Sequence, residues 1–198
     1  MDQEIVKKMQ QINMKQIENQ LVFQCAPLIT GLKISNLFVM KSEHWQRICS
    51  LLQKNNIHCH ILYQADHSLT ALLYRPLMLS AYLHKQQVSY MLSQEGYAKI
   101  ELDWILTSFT RRYQKYRMGL QPFPHELGLL LGYPWEDVAG FVQHNGSNSL
   151  YTGYWKVYAN VPSKRQLFRK YEYAREQLLE KIAHGNKLEQ ILSEPSNN

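Results

Sequence analysis

The chain has little cysteine, no long apolar run and no phosphate-binding glycine loop, and each absence removes a class of function. Cys25, Cys49 and Cys59 are its three cysteines. An odd count with no C-x-x-C spacing argues against a disulfide framework and a cysteine-only zinc site. Reduced thiols and a cytoplasmic setting are the expectation. No stretch reaches the roughly 18 apolar residues of a membrane span, and the opening Met1-Asp2-Gln3-Glu4-Ile5-Val6-Lys7-Lys8 is too polar for the core of a signal peptide, so no membrane partner is expected. The H-E-x-x-H, Walker and G-x-G-x-x-G patterns are missing, which removes the strongest routes to a metalloprotease, a P-loop NTPase or a dinucleotide enzyme. No period of about 20–50 residues recurs, which argues against a solenoid or propeller.

What is present is enough for a core. Of 198 residues 45% are apolar, which fits one domain spanning 1–198. Against 16 acidic residues stand 22 basic ones, a formal net charge of +6. That excess favours anionic partners without the density of a dedicated nucleic-acid arm.

Periodicity and punctuation divide the chain. Ile5, Met9, Ile12, Ile17 and Leu21 predict an N-terminal helix within 1–23, and Pro27 breaks the chain so that Cys25-Ala26-Pro27 forms a corner. Residues 37–74 read as a β-α-β-β unit. In it Leu37–Met40 is a strand, Ser42 caps a helix reaching about Asn55, and Ile57–Gln64 and Leu69–Tyr74 form a hairpin. Residues 76–143 are helical, with breaks near Lys85 and at Gly96. The segment from about Ile100 to Met118 puts Leu102, Ile105, Phe109, Tyr113 and Tyr116 on one stripe. Pro124 starts a further helix, and Gly132-Tyr133-Pro134 ends it and starts the next, which runs to about Gln143. Residues 151–158 read as a fourth strand and 162–184 as a long C-terminal helix burying Leu167, Tyr171, Ala174, Leu178 and Ile182; the tail from Ser193 should fray. The fold class is α+β (mixed α/β), a small mixed sheet of about four strands including a β-hairpin, packed by several helices, with long N- and C-terminal helices.

Several motifs recur in a fixed order: Cys25-Ala26-Pro27 with Gly31-Leu32-Lys33 and Asn36-Leu37-Phe38, then Tyr74-Arg75-Pro76, the block from Phe123 to Val142, and Gly153-Tyr154-Trp155-Lys156-Val157-Tyr158. In these the chain resembles, over its full length, a bacterial family catalogued as domain of unknown function 3793. The resemblance implies a compact cytoplasmic domain with a shared site and supplies no reaction, cofactor or partner.

The same block holds the candidate chemistry. His125 and Glu126 fall in the first turn of the helix that Pro124 starts, where a neutral imidazole serves as a base or ligand and the helix end attracts an anion. Cys25 at its corner is a candidate nucleophile if Lys33 or His125 lowers its proton affinity. Tyr154, Lys156 and Tyr158 share one strand face, and Lys156 between tyrosines suits an anion or an aromatic ligand. Arg75 at a strand exit and Tyr133 at the helical corner complete the ligand-binding set with Lys33, Tyr154 and Lys156. His58 and His60 alternate onto one strand face beside His67, but without further ligands no metal site is assigned, and no cofactor is named. The basic clusters Arg111–Arg117 and Lys164–Lys170 read first as helix-end and solvated faces, with nucleic acid as the less favoured partner.

The function expected is a cytoplasmic small-ligand domain or enzyme. Arg75, Lys33 and Lys156 would hold an anionic molecule, with His125, Glu126 and Cys25 as the catalytic candidates. The alternative is a non-catalytic binding or adaptor protein that offers its basic helical surface to nucleic acid or an acidic protein. The geometric expectation is that His125 lies beside Arg75 or Lys156 at one concave site.

Overall fold

The computed structural model describes residues 12–193. Its centre is a three-stranded antiparallel sheet in the order β1 (Ser35–Lys41), β3 (Ser68–Tyr74), β2 (His58–Ala65). Ser35 pairs with Tyr74 and Lys41 with Ser68 on one side of β3; His58 pairs with Tyr74 and Ala65 with Ser68 on the other. The two hairpin strands turn through Asp66-His67, with Asp66 at φ 48°. That is a left-handed position that Asp tolerates better than most residues.

Because β3 is central, its alternate side chains serve two cores. Leu69, Ala71 and Leu73 join Phe38 and Met40 against helices α1 (Ile17–Ile29) and α2 (Trp45–Gln53), the C-terminal half of α8 (Val161–Ala183), and α9 (Leu188–Ser193). Leu72 and Tyr74 face the other way, into α3 (Pro76–Leu83), α4 (Gln86–Gln94), α5 (Leu102–Arg117), α6 (Leu127–Leu130) and α7 (Trp135–Gln143). A third, smaller cluster of Trp155, Val157, Phe168 and Tyr171 seats a short hairpin, β4 (Tyr151–Thr152) and β5 (Lys156–Val157), on α8. Among the described residues no helix is long and apolar enough to cross a membrane.

The fold class is as the sequence predicts, with local corrections. The first strands and the β-α-β-β order hold, and Ile105, Phe109 and Tyr113 are buried on α5. Part of the expected 1–23 helix lies outside the described residues; within them α1 starts at Ile17 and continues through Pro27 to Ile29, so Cys25-Ala26-Pro27 is helix interior and not a corner. A proline there forfeits one helical hydrogen bond. The end of α1 is held by backbone and side chains together: Thr30 N and Oγ1 both donate to the Ala26 carbonyl at 2.9 Å, Lys33 N donates to that of Pro27 at 2.8 Å, and Arg75 donates to those of Leu28 and Ile29. Ser42 opens a short 3₁₀ turn, Ser42–His44, and makes no side-chain cap for α2.

The fourth strand is also corrected: residues 151–158 do not form one strand but double back at Gly153–Trp155 into a separate two-stranded sheet. Trp155 is drawn inward by stacking on Tyr133 and by its hydrogen bond to Asp137, which folds an aromatic-rich segment that would suit a strand. The tail beyond Ser193 lies outside the described residues, and Leu188–Ser193 adds a helix that the sequence reading omits.

Candidate functional site

Two prolines shape the segment that carries His125. A residue before proline is pushed out of helical conformation, so Gln121 and Phe123, ahead of Pro122 and Pro124, lie outside any helix. Helix α6 therefore begins only at Leu127, and His125 and Glu126 sit in the turn before it, not in the first turn of a longer helix. Its bonds are tight: Leu127 N donates to Pro124 O at 3.1 Å and Gly128 N to His125 O at 3.0 Å. The helix-dipole argument for His125 therefore falls away, since α6 is four residues long.

The α6–α7 corner turns at Gly132, whose φ of +69° and Cβ position 2.4 Å from Ile34 leave no room for another residue. The corner is tied down on both sides. Ser35 Oγ donates to Leu130 O at 2.5 Å, and the Tyr82 hydroxyl donates to the Tyr133 carbonyl. Beyond it, Asp137 in the first turn of α7 is 2% exposed and accepts three hydrogen bonds. They come from Trp155 Nε1 at 2.8 Å, Tyr158 N at 2.8 Å and Ala159 N at 3.1 Å. This one carboxylate clamps the β4–β5 hairpin to α7.

Between corner and hairpin lies a cleft of about 290 Å³. Five aromatic side chains and the buried Asp137 are among its lining residues: Tyr133 stacks on Trp155 at 4.7 Å and 24°, and the His125 ring sits 5.5 Å from both Phe123 and Phe141. Leu127, Leu131 and Val138 supply the aliphatic surface, and Tyr154 and Lys156 enter from the hairpin. Lys156 Nζ donates to Gly146 O at 2.5 Å and lies 5.9 Å from the Phe141 ring centre. No acidic side chain among the described residues pairs with that ammonium.

Of the sequence-derived candidates, the structure brings four to this cleft: His125, Tyr133, Tyr154 and Lys156. His125 and Lys156 share the site as expected, while Arg75 does not line it. Arg75 instead spends its guanidinium on the carbonyls of Leu28 (3.1 Å), Ile29 (3.0 Å) and Asn55 (3.2 Å). Glu126 turns into a buried network, with its Oε1 2.6 Å from Arg112 Nε and accepting from the Tyr97 hydroxyl at 3.1 Å. Burial raises its carboxyl above the ordinary range.

Cys25 is 1% exposed. Burial pushes its thiol up to about 12 in spite of the nearby Lys33, the reverse of an activated nucleophile. Lys33 is itself buried and donates to Asn36 Oδ1 at 2.7 Å, and burial lowers its ammonium to about 8. Lys33 stands 5.4 Å from the Tyr133 ring, so it backs the cleft wall without lining it. On the hairpin face His60 Nε2 lies 2.8 Å from Thr110 Oγ1, and His58 packs on Tyr74. The basic clusters are partly consumed internally: Arg112 by Glu95 and Glu126, Arg117 over Tyr63, and Lys164 by Glu136 at 2.8 Å.

Asp137, Trp155, Phe141 and Phe123 were not singled out from the sequence. All four do stand inside its densest motifs, and that is the signal that marks them. A buried carboxylate such as Asp137 is recognisable only by its donors, which lie on another element. Neither a curated protein nor a solved structure matches the chain. A family model described as "Protein of unknown function (DUF3793)" matches residues 21–192, and the chain belongs to that family.

Proposed function

We propose that the protein is a small-ligand binding domain and that the aromatic cleft takes a compact planar acid, an aromatic ring bearing one carboxylate or comparable anionic group. The observation that carries this reading is Lys156, an ammonium without an acidic partner at a cleft walled by Phe141, Tyr133 and Trp155. Aromatic walls favour a flat apolar body, and a cation held by a backbone carbonyl and a ring face, with no carboxylate partner, gains from an incoming anion. His125, 5.5 Å from two phenylalanine rings, adds an imidazole to the same wall. Catalysis draws less support, because the candidate thiol is buried and its proton is held tightly.

The test is a titration of the protein with 1-naphthoate and, separately, with neutral naphthalene-1-carboxamide, followed by tryptophan fluorescence. The acid is expected to bind saturably. Lys156→Met, which keeps the apolar stem, should weaken the acid about tenfold and the amide less than twofold. Absence of saturable binding, or equal loss for acid and amide, would refute the proposal.

A further inference from the structure

A second cleft, of about 280 Å³, lies on the other side of His125 and Val138, between α4 and α7. Its walls include Met91, Leu129, Val138 and Val142, and its polar groups include Glu95, Glu126 and His125. Glu126 is the anchor. Its side chain is 1% exposed, its Oε1 is taken by Arg112 and Tyr97, and its Oε2 has no hydrogen-bond partner. His125 Nδ1 is likewise buried without a partner. Thus two adjacent residues that line the cleft each carry a buried polar atom without a partner, in a network where Arg112 Nε also lacks a well-aligned hydrogen bond, and buried atoms of this kind are ordinarily paired.

Both atoms can accept hydrogens. Carboxylate Oε2 only accepts when ionised, and Nδ1 accepts in the Nε2–H tautomer. The charge balance points the same way: the one Arg112 guanidinium meets two carboxylates, Glu95 Oε2 at 2.9 Å and Glu126 Oε1 at 2.6 Å. With both carboxylates ionised, one cation against two anions leaves a surplus negative charge, and with that charge buried beside a largely apolar wall the Glu126 carboxyl is raised. A metal ion fits poorly, because one free carboxylate oxygen and one imidazole nitrogen are too few ligands, and among the described residues no group of three or more His, Cys, Asp or Glu could hold one.

We infer that the cleft between α4 and α7 binds a small organic ammonium ion, its N–H groups on Glu126 Oε2 and His125 Nδ1 and its alkyl portion against Met91, Leu129, Val138 and Val142. An ammonium supplies the missing countercharge and donates to both open acceptors at once, whereas an alcohol supplies no charge and a quaternary ammonium no hydrogen. This site does not rest on the aromatic-acid reading, which turns on Lys156, although the two clefts share His125 and Val138.

Saturation-transfer NMR on the full chain tests it with butylammonium, tetramethylammonium and 1-butanol as probes. Butylammonium is expected to give a saturable signal, with the other two at least fivefold weaker. Glu126→Gln should reduce butylammonium binding at least fivefold. Ala139→Leu, which adds bulk to the same cleft from α7 and leaves Glu95, Arg112 and Glu126 unsubstituted, should do so as well and decides the matter if the first variant folds poorly. A butylammonium signal that is absent, matched by 1-butanol, or unchanged in Ala139→Leu overturns the assignment. The naphthoate titration, run on the same samples, reports separately on the first cleft.

Discussion

Lys33 is a case where one side chain's surroundings set a measurable property of the whole protein. Its ammonium is buried beside Asn36 and the Tyr133 ring, and burial lowers its pKa from 10.5 to about 8. A cation with a depressed pKa disfavours folding while it is charged. Below pH 8 that penalty is complete. Between pH 8 and 10.5 the folded lysine has lost its proton while the unfolded one keeps it, so the unfolded state binds more protons and stability rises with pH. In guanidinium unfolding from pH 7 to 10, the stability of the wild type relative to Lys33→Met should therefore climb above pH 8, by at most about 1.4 kcal/mol per pH unit. A flat difference would mean that the ammonium stays charged in the fold. Cys25 acts in the opposite sense, since a thiol raised to about 12 loses stability as pH climbs above 9, and it is present in both proteins.

At the scale of elements, the glycine-dense block is explained by how closely its helices and hairpin approach. A Cβ on Gly140, in the middle of α7, would stand 2.5 Å from both Cβ and Cγ of Tyr158, atoms that cannot swing away. In an exposed helix, Gly→Ala is worth up to about 1 kcal/mol of stabilisation. Here the expected sign is reversed: Gly140→Ala should destabilise by about 1–3 kcal/mol, the range for overpacking, and should weaken naphthoate binding because it pushes the hairpin off α7. A variant with raised stability would show that the hairpin yields. Elements with a strong local pattern were legible, such as the Ile105, Phe109, Tyr113 stripe of α5 and the burial of Tyr171, Ala174 and Leu178 on α8. The β4–β5 hairpin was not. Its aromatic and β-branched residues favour extended chain, and what folds them back is the Asp137 carboxylate on another element.

Across the whole molecule, the candidate site was half legible, and Arg75 shows why. A strand ending in Arg-Pro announces a cation without saying what receives it. The topology delivers Arg75, at the end of β3, to the last turn of α1 and the turn after α2, where three carbonyls accept its guanidinium. Arg75 therefore joins the central sheet to the helical layer opposite the clefts, while His125 and Lys156 meet only because α7 and the hairpin close on each other. These roles separate experimentally. Arg75→Ala takes the side-chain donor from the Ile29 and Asn55 carbonyls and one of two donors from that of Leu28, which Gly31 N still reaches at 3.1 Å, and should cost about 2–4 kcal/mol in guanidinium unfolding. Arg75→Lys should recover less than half of that, since an ammonium lacks the planar fork. Naphthoate affinity measured below the unfolding transition should stay within twofold of the wild type in both. A tenfold loss of affinity with little loss of stability would instead return Arg75 to the ligand site and require the cleft to extend through the sheet.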